Sequence, residues 1–180
     1  MSRNLLALID TLSSAQDTMR HTPTLFVRAV VYADVQNYPD ALRDVDQCLR
    51  IDSTSALLWW HRAYCSVQHA ASASSMEPIN KLPLLLRQPM EDIKRALSLS
   101  PDNPYLHYNL GCMYLQQDMT ADALQEFTTA LQMNDVIAEA YYNRAICYQR
   151  EEKKAEALAD LSKAGQLGLH QAYSMMKKIK

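Results

Sequence analysis

Glycine is scarce in this chain, with three residues in 180. So few leave no glycine-rich loop of the kind that cradles a phosphate, and they suit a helix-rich protein. An excess of one charge sign is missing too. The formal net charge is −2, and the basic residues form no block except Lys177, Lys178 and Lys180. Nucleic-acid binding driven by phosphate contacts therefore has no electrostatic footprint here. No apolar run approaches the length of a membrane span. The opening stretch, MSRNLLALIDTLSSAQD, lacks a charged leader region and a cleavage site, and Asp10 interrupts its apolar part. It does not read as a signal peptide.

Cysteine is sparse and dispersed: Cys48, Cys65, Cys112 and Cys147, with no CxxC and no histidine at ligand spacing. Buried free thiols are the expectation, rather than disulfides or metal ligands. That favours a reducing compartment, and a cytoplasmic one if the chain is complete. The five histidines (His21, His61, His69, His107 and His170) are scattered, and neither HExxH nor GxSxG occurs. A pairing of Cys112 with a histidine is the one nucleophile–base arrangement to weigh, and each of those residues has an ordinary packing role as well. Gly165 and Gly168 read as helix caps. The expectation is a protein that is not an enzyme and needs no cofactor or metal.

What the chain does have is hydrophobic content, 48% of residues against 21% charged, and length enough to bury a core. It also has a period. With residues 104–137 set above 138–171, an offset of 34, Gly111 falls on Ala145, Tyr114 on Tyr148, Ala123 on Ala157, Phe127 on Leu161 and Ala130 on Ala164. Residues 22–55 bring Ala29, Tyr32, Ala41, Val45 and Cys48 to the same places. A further copy starts at Ala56 with Trp59 and Ala63 in register. It resumes with Ile93, Ala96 and Pro101 after 14 extra residues. Each unit shows apolar positions at helical spacing in two blocks, parted by polar stretches such as QQDMTAD and QREEKKAE. One such hairpin cannot bury its apolar face alone, so successive hairpins must stack.

A 34-residue unit with an aromatic at position 4, a small residue at 8, Tyr at 11, Ala at 20, bulk at 24 and a small residue at 27 resembles the tetratricopeptide repeat. The resemblance covers residues 22–171. His107 stands where an aromatic is usual, Ser66 replaces the Tyr at position 11, and Pro101 alone supplies the closing proline. The resemblance implies an all-α, right-handed α-solenoid of four helix hairpins with a helix at each end. The layout is an N-terminal packing helix in 1–21 and repeats at 22–55, 56–103, 104–137 and 138–171, followed by a capping helix at 172–180. The second repeat carries an insertion at about 70–88. The first helix, with Leu5, Leu8, Ile9, Leu12 and Met19 at helical spacing, lies where a preceding repeat would place its second helix. This suggests the C-terminal segment of a longer repeat protein.

In tetratricopeptide proteins, positions 2, 5, 9 and 12 of each first helix line the concave groove. Here that stripe is aromatic and apolar. It nominates Phe26, Val30, Trp60, Tyr64, Tyr105, Tyr108, Tyr142 and Ile146, with Asn109 and Asn143 at position 6 as amides for a partner's backbone. The subset of the family that grips chaperone carboxylates resembles a clamp of Lys and Asn at positions 5 and 9. Phe26 and Val30 occupy those places, so that activity is not implied. The adjacent Trp59 and Trp60 fall on different stripes. Trp59 is expected to pack against the paired helix and Trp60 to face the groove.

Two further expectations concern structure. Arg28, Arg62 and Arg144 hold position 7 in repeats whose position 23 is Asp44, Asp92 and Asp160, and where position 7 is Leu110, position 23 is Glu126. Arg–Asp ion pairs joining the helices follow from that pattern. The insertion, within HAASASSMEPINKLPLLLRQP, carries leucines that need cover, and packing back on the solenoid is expected over an exposed partner-binding loop. The function these readings converge on is recognition of a protein or peptide partner, with no nucleic acid and no membrane span. The alternative is a structural or homo-oligomerising segment whose groove is filled by its own chain or by a second copy.

Overall fold

The computed structural model describes Ala7, residues 22–73 and residues 82–179, with Ala73 and residues 82–85 described by backbone alone. Apart from Ala7, which is helical, the expected N-terminal packing helix in 1–21 lies outside the described residues, as do the loop part of the insertion at 74–81 and Leu84 and Leu85 as side chains. Among the described residues every regular element is an α-helix. The chain divides into two units, Met1–Ser100 and Pro101–Lys180. The first contains α1 (Thr22–Asp34), α2 (Tyr38–Ile51), α3 (Ala56–Ala73) and α4 (Leu82–Leu99). The second contains α5 (Pro104–Gln116), α6 (Thr120–Met133), α7 (Ala138–Arg150), α8 (Lys154–Gln166) and α9 (Gln171–Ile179). Within each unit every helix packs on the next in sequence, the arrangement of an α-solenoid.

The hairpins share a turn. α1–α2, α5–α6 and α7–α8 are each joined by three residues, the middle one in the left-handed region: Gln36 at φ 62°, Asp118 at 58° and Glu152 at 60°. All three stand at position 15 of their repeats. The next residue's N–H returns to the carbonyl at position 11, Asn37 to Tyr32 at 2.8 Å, Met119 to Tyr114 at 3.0 Å and Lys153 to Tyr148 at 2.9 Å. Orphan carbonyls at the helix end are thereby satisfied. α8 ends in the same way, with Gly168 at φ 101°.

Small residues set how closely the helices approach. Ala29, Ala63, Gly111 and Ala145 at position 8 are buried, as are Ala41, Ala123 and Ala157 at 20 and Cys48, Ala96, Ala130 and Ala164 at 27. Position 24 supplies the bulk between them, through Val45, Ile93, Phe127 and Leu161. At the C-terminal end Gly165 does the same for a ring: a Cβ there would stand 2.5 Å from Cζ of Tyr173. α9 accordingly lies flat on α8 and buries Ala172 and Ile179.

The insertion expected at about 70–88 is taken up in part by longer helices. α3 and α4 are each 18 residues, against 13 or 14 in the other hairpins, so Leu82–Gln88 are already helical. Pro89 sits inside α4 at the place of the small residue at position 20 and is fully buried. The helix continues through it despite the missing N–H, because Leu86, Met90 and Ile93 on the same face are all buried.

Candidate functional site

A repeated electrostatic device holds the helices that carry the groove. Arg28 donates to Asp44 from Nε at 2.6 Å and Nη2 at 2.7 Å, and Arg144 to Asp160 at 2.7 and 2.9 Å. Arg62 donates to Asp92 at 2.8 and 2.5 Å. These are two-point guanidinium–carboxylate pairs on buried aspartates, as the position 7 and 23 pattern led one to expect. The remaining nitrogen reaches the preceding repeat at its position 25. Arg62 Nη1 meets Asp46 at 3.3 Å, and Arg144 Nη1 meets Thr128 Oγ1 at 3.4 Å. In the repeat with Leu110, His107 takes over. Its Nδ1 lies 2.7 Å from Glu126 and its Nε2 lies 3.2 Å from the Pro101 carbonyl.

Trp59 belongs to this device. Its ring lies 4.6 Å from the Arg62 guanidinium, and its Nε1 donates to the Ser53 carbonyl at 2.8 Å. Its apolar edge packs on the cluster of Leu25, Ala29, Val45, Cys48, Leu49 and Leu58, which belongs mostly to the preceding repeat. The expected packing on the paired helix is thus corrected: the ring braces two successive repeats. Tyr141 plays a similar part beside Arg144, at 5.5 Å.

In the first unit, α1 and α3 bring Phe26, Val30, Trp60 and Tyr64 together, as the stripe predicts. They line an open pocket of about 400 Å³ with Ala33, Asp34, Leu57 and His61. The pocket exists because position 12 is the small Ala33 and because Trp60 and Tyr64, one turn apart, stack with centroids 6.0 Å apart and planes at 19°. Val30, Leu57 and Tyr64 are exposed at 43%, 52% and 40%, a contiguous apolar surface on one face of the unit.

His61 was not among the nominated residues, yet it forms the pocket floor. It is buried, packs edge-on to Phe26 at 5.3 Å, and lies 3.8 Å from Cys65 Sγ through Nε2. Burial lowers its pKa, opposed by a hydrogen bond to the Ala29 backbone. Asn143 holds the same position 6 in the second unit and makes the same kind of contact. Its Nδ2 donates to Tyr108 Oη and Cys112 Sγ, both at 3.4 Å. The position 6 side chain therefore turns toward the preceding repeat. The Asn143 Nδ2 is thus engaged inside the chain.

The second unit places the other nominated residues along α5 and α7. Tyr105 is exposed at 56%, whereas Tyr108, Asn109, Tyr142 and Ile146 are half-buried. Tyr108 packs on Phe127 at 6.0 Å, and burial raises its hydroxyl pKa. Reactive thiol chemistry has no support here. Burial pushes Cys48, Cys65 and Cys147 up to about 11, and it also raises Cys112. Thiols so placed are protonated near neutral pH. Among the described residues no group of three His, Cys, Asp or Glu could hold a metal, and no helix is long and apolar enough to cross a membrane.

A tetratricopeptide repeat family model matches residues 93–125. The crystal structure of MamA superposes with a TM-score of 0.75 at 16% identity, covering 96% of this chain and 91% of that one. A thermophilic tetratricopeptide protein of Thermus thermophilus gives 0.74 at 17% identity, covering 99% and 90%. Over residues 93–125 the chain matches the tetratricopeptide repeat, and its stacked helix hairpins share the fold of these solved structures. DnaJ homolog subfamily C member 7 of Homo sapiens is 26% identical over 176 residues, 78% of this chain and 36% of that protein. Intraflagellar transport protein 70A of Xenopus tropicalis is 27% identical over 104 residues, 56% of this chain and 16% of that protein. The chain spans about a third or less of the length of these curated relatives.

In tetratricopeptide terms the pocket lies on the stripe that lines the groove of such proteins. At the positions where the carboxylate-gripping subset resembles Lys and Asn, this chain presents Phe26 and Val30, both at the pocket wall.

Proposed function

We propose that this tetratricopeptide chain is a non-catalytic protein-interaction module whose groove between α1 and α3 holds a peptide or helix of a partner. The observation that carries the reading is the pocket itself. Phe26, Trp60 and Tyr64 converge on about 400 Å³ of open space beside the exposed Val30 and Leu57. Exposed apolar surface of this kind usually meets a partner. The rigid frame suits the role: paired guanidinium–aspartate bridges and a buried small-residue core fix the groove walls, so little ordering accompanies binding. The test is affinity capture with wild type, Trp60→Ala and Tyr108→Ala chains, all matched for thermal melt. Loss of the same specific partners in Trp60→Ala supports the groove; unchanged partner sets in both variants sink it.

A second reading has one observation in its favour. In the second unit, Asn143 ties Tyr108 and Cys112 together, so part of that stripe is satisfied by its own chain. That half is then structural, or meets a second copy of the chain. Light scattering of the purified chain decides the latter, since a concentration-independent monomer excludes it.

A further inference from the structure

We infer that the pocket of the first unit takes an aliphatic side chain of leucine size from the partner peptide, in the space that Leu115 fills at the same register of the second unit; this rests on the reading of that groove as a peptide site. Two buried clusters make the comparison. In the first unit Ala33, Ala41 and Cys65 pack together, from position 12, position 20 and position 10 of the next repeat. In the second unit Ala123 and Cys147 hold the last two of those positions, and Leu115 packs against them. Leu115 thus carries an isopropyl group that Ala33 lacks, and Ala33 borders the open pocket. Tyr38 is buried in the Ala33 cluster but does not line the pocket, so its ring leaves that side open.

The other differences between the two units run the same way. Phe26 stands for Tyr108 and carries no hydroxyl, Val30 stands for Cys112, and Leu57 stands for Glu139. Asn143, whose amide bonds Tyr108 and Cys112 in the second unit, is matched by His61, whose ring packs on Phe26. The first unit therefore presents fewer polar groups and more room at one place. Asp34 also borders the pocket, but it is engaged within the chain and takes no part in the assignment. A polar or charged anchor would be desolvated against Phe26, Val30 and Trp60 with little in return. An aliphatic one gains from every wall.

The test is display selection of random peptides on the full chain, followed by calorimetric titration of the selected peptides and of analogues with the anchor changed to Ala. The titrations use wild type, Ala33→Val, Ala33→Leu and Trp60→Ala. Ala33→Leu puts the missing isopropyl group into the pocket and should melt no lower than wild type. Ala33→Val fills part of the space and keeps the test intact where leucine disturbs the fold. Selected peptides should share a Leu, Ile or Met, and its change to Ala should weaken binding to wild type at least about tenfold. Ala33→Leu should weaken the parent peptide to a similar degree and bind the Ala analogue as wild type does, because both changes remove one contact. Peptides anchored by an aromatic or charged residue overturn the aliphatic assignment and leave the groove reading standing. So do peptides that lose affinity in Trp60→Ala and ignore both Ala33 changes. A wild-type chain that dimerises in light scattering while Ala33→Leu stays monomeric gives the pocket to a second copy and overturns the assignment as well. Peptides that ignore all three variants, or a selection that yields none, overturn both.

Discussion

A Cβ placed on Gly111 would stand 2.7 Å from Cε1 of Phe127 and 2.8 Å from Cδ1. In two other repeats the alanine at the same position shares a buried cluster with a smaller side chain, Ala29 with Val45 and Ala145 with Leu161, so the smallest residue is matched with the largest ring. Gly111→Ala should therefore destabilise the chain by about 1–3 kcal/mol through overpacking. Adding Phe127→Leu, the pairing that Ala145 and Leu161 use, should recover much of the loss. Denaturant melts of the two single variants and the double variant give the coupling directly.

The Arg144–Asp160 pair should resist conservative exchange. Arg144→Lys keeps the charge but loses the two-point geometry, the reach to Thr128 and the planar contacts with Tyr141 and Tyr148. Arg144→Met leaves Asp160 buried without its guanidinium and should cost about 2–4 kcal/mol. Lysine should restore less than half of that in chemical denaturation. Full recovery by lysine would mean that only net charge matters at position 7.

Burial lowers the pKa of His61 below its ordinary value of 6.5. The unfolded chain binds that proton first as pH falls, so the stability contributed by neutral His61 is complete above about pH 6.5 and is lost as pH drops through the lower folded value. Melting temperature measured between pH 7.5 and 5 should fall more steeply for wild type than for His61→Gln. Parallel profiles would remove His61 as the cause.

The two tryptophans should separate stability from surface chemistry. Trp59→Ala removes a ring that covers Arg62, donates to Ser53 and packs on the core of the preceding repeat, and should cost about 2–4 kcal/mol. Trp60→Ala removes a pocket wall and should cost less. Equal losses in paired melts would contradict the assignment of the two rings to different surfaces.

Much of this arrangement was legible in the residues because the tetratricopeptide core repeats its constraints. Small residues at positions 8, 20 and 27 and bulk at 24 mark where helices cross, and the pairing of positions 7 and 23 appears as covariation inside one chain. Sequence register also shows which way a side chain leaves its own helix. It does not show how the next hairpin tilts, and for that reason His61 and Asn143 at position 6, and Trp59 at position 4, proved to face the preceding repeat. Pro89 lies inside α4, and the buried Leu86, Met90 and Ile93 carry the helix past it.

The most direct measurement uses two valines of α1 with similar exposure, Val30 at 43% on the pocket wall and Val27 at 51% away from it. Both tolerate a glutamate without burying charge. Quantitative binding of the captured partner, or of a selected peptide, to Val30→Glu and Val27→Glu compares the groove with its own helix. Binding lost at least tenfold in Val30→Glu and kept in Val27→Glu is the predicted result. Equal binding by both variants and wild type would contradict the assignment of the groove as the recognition surface.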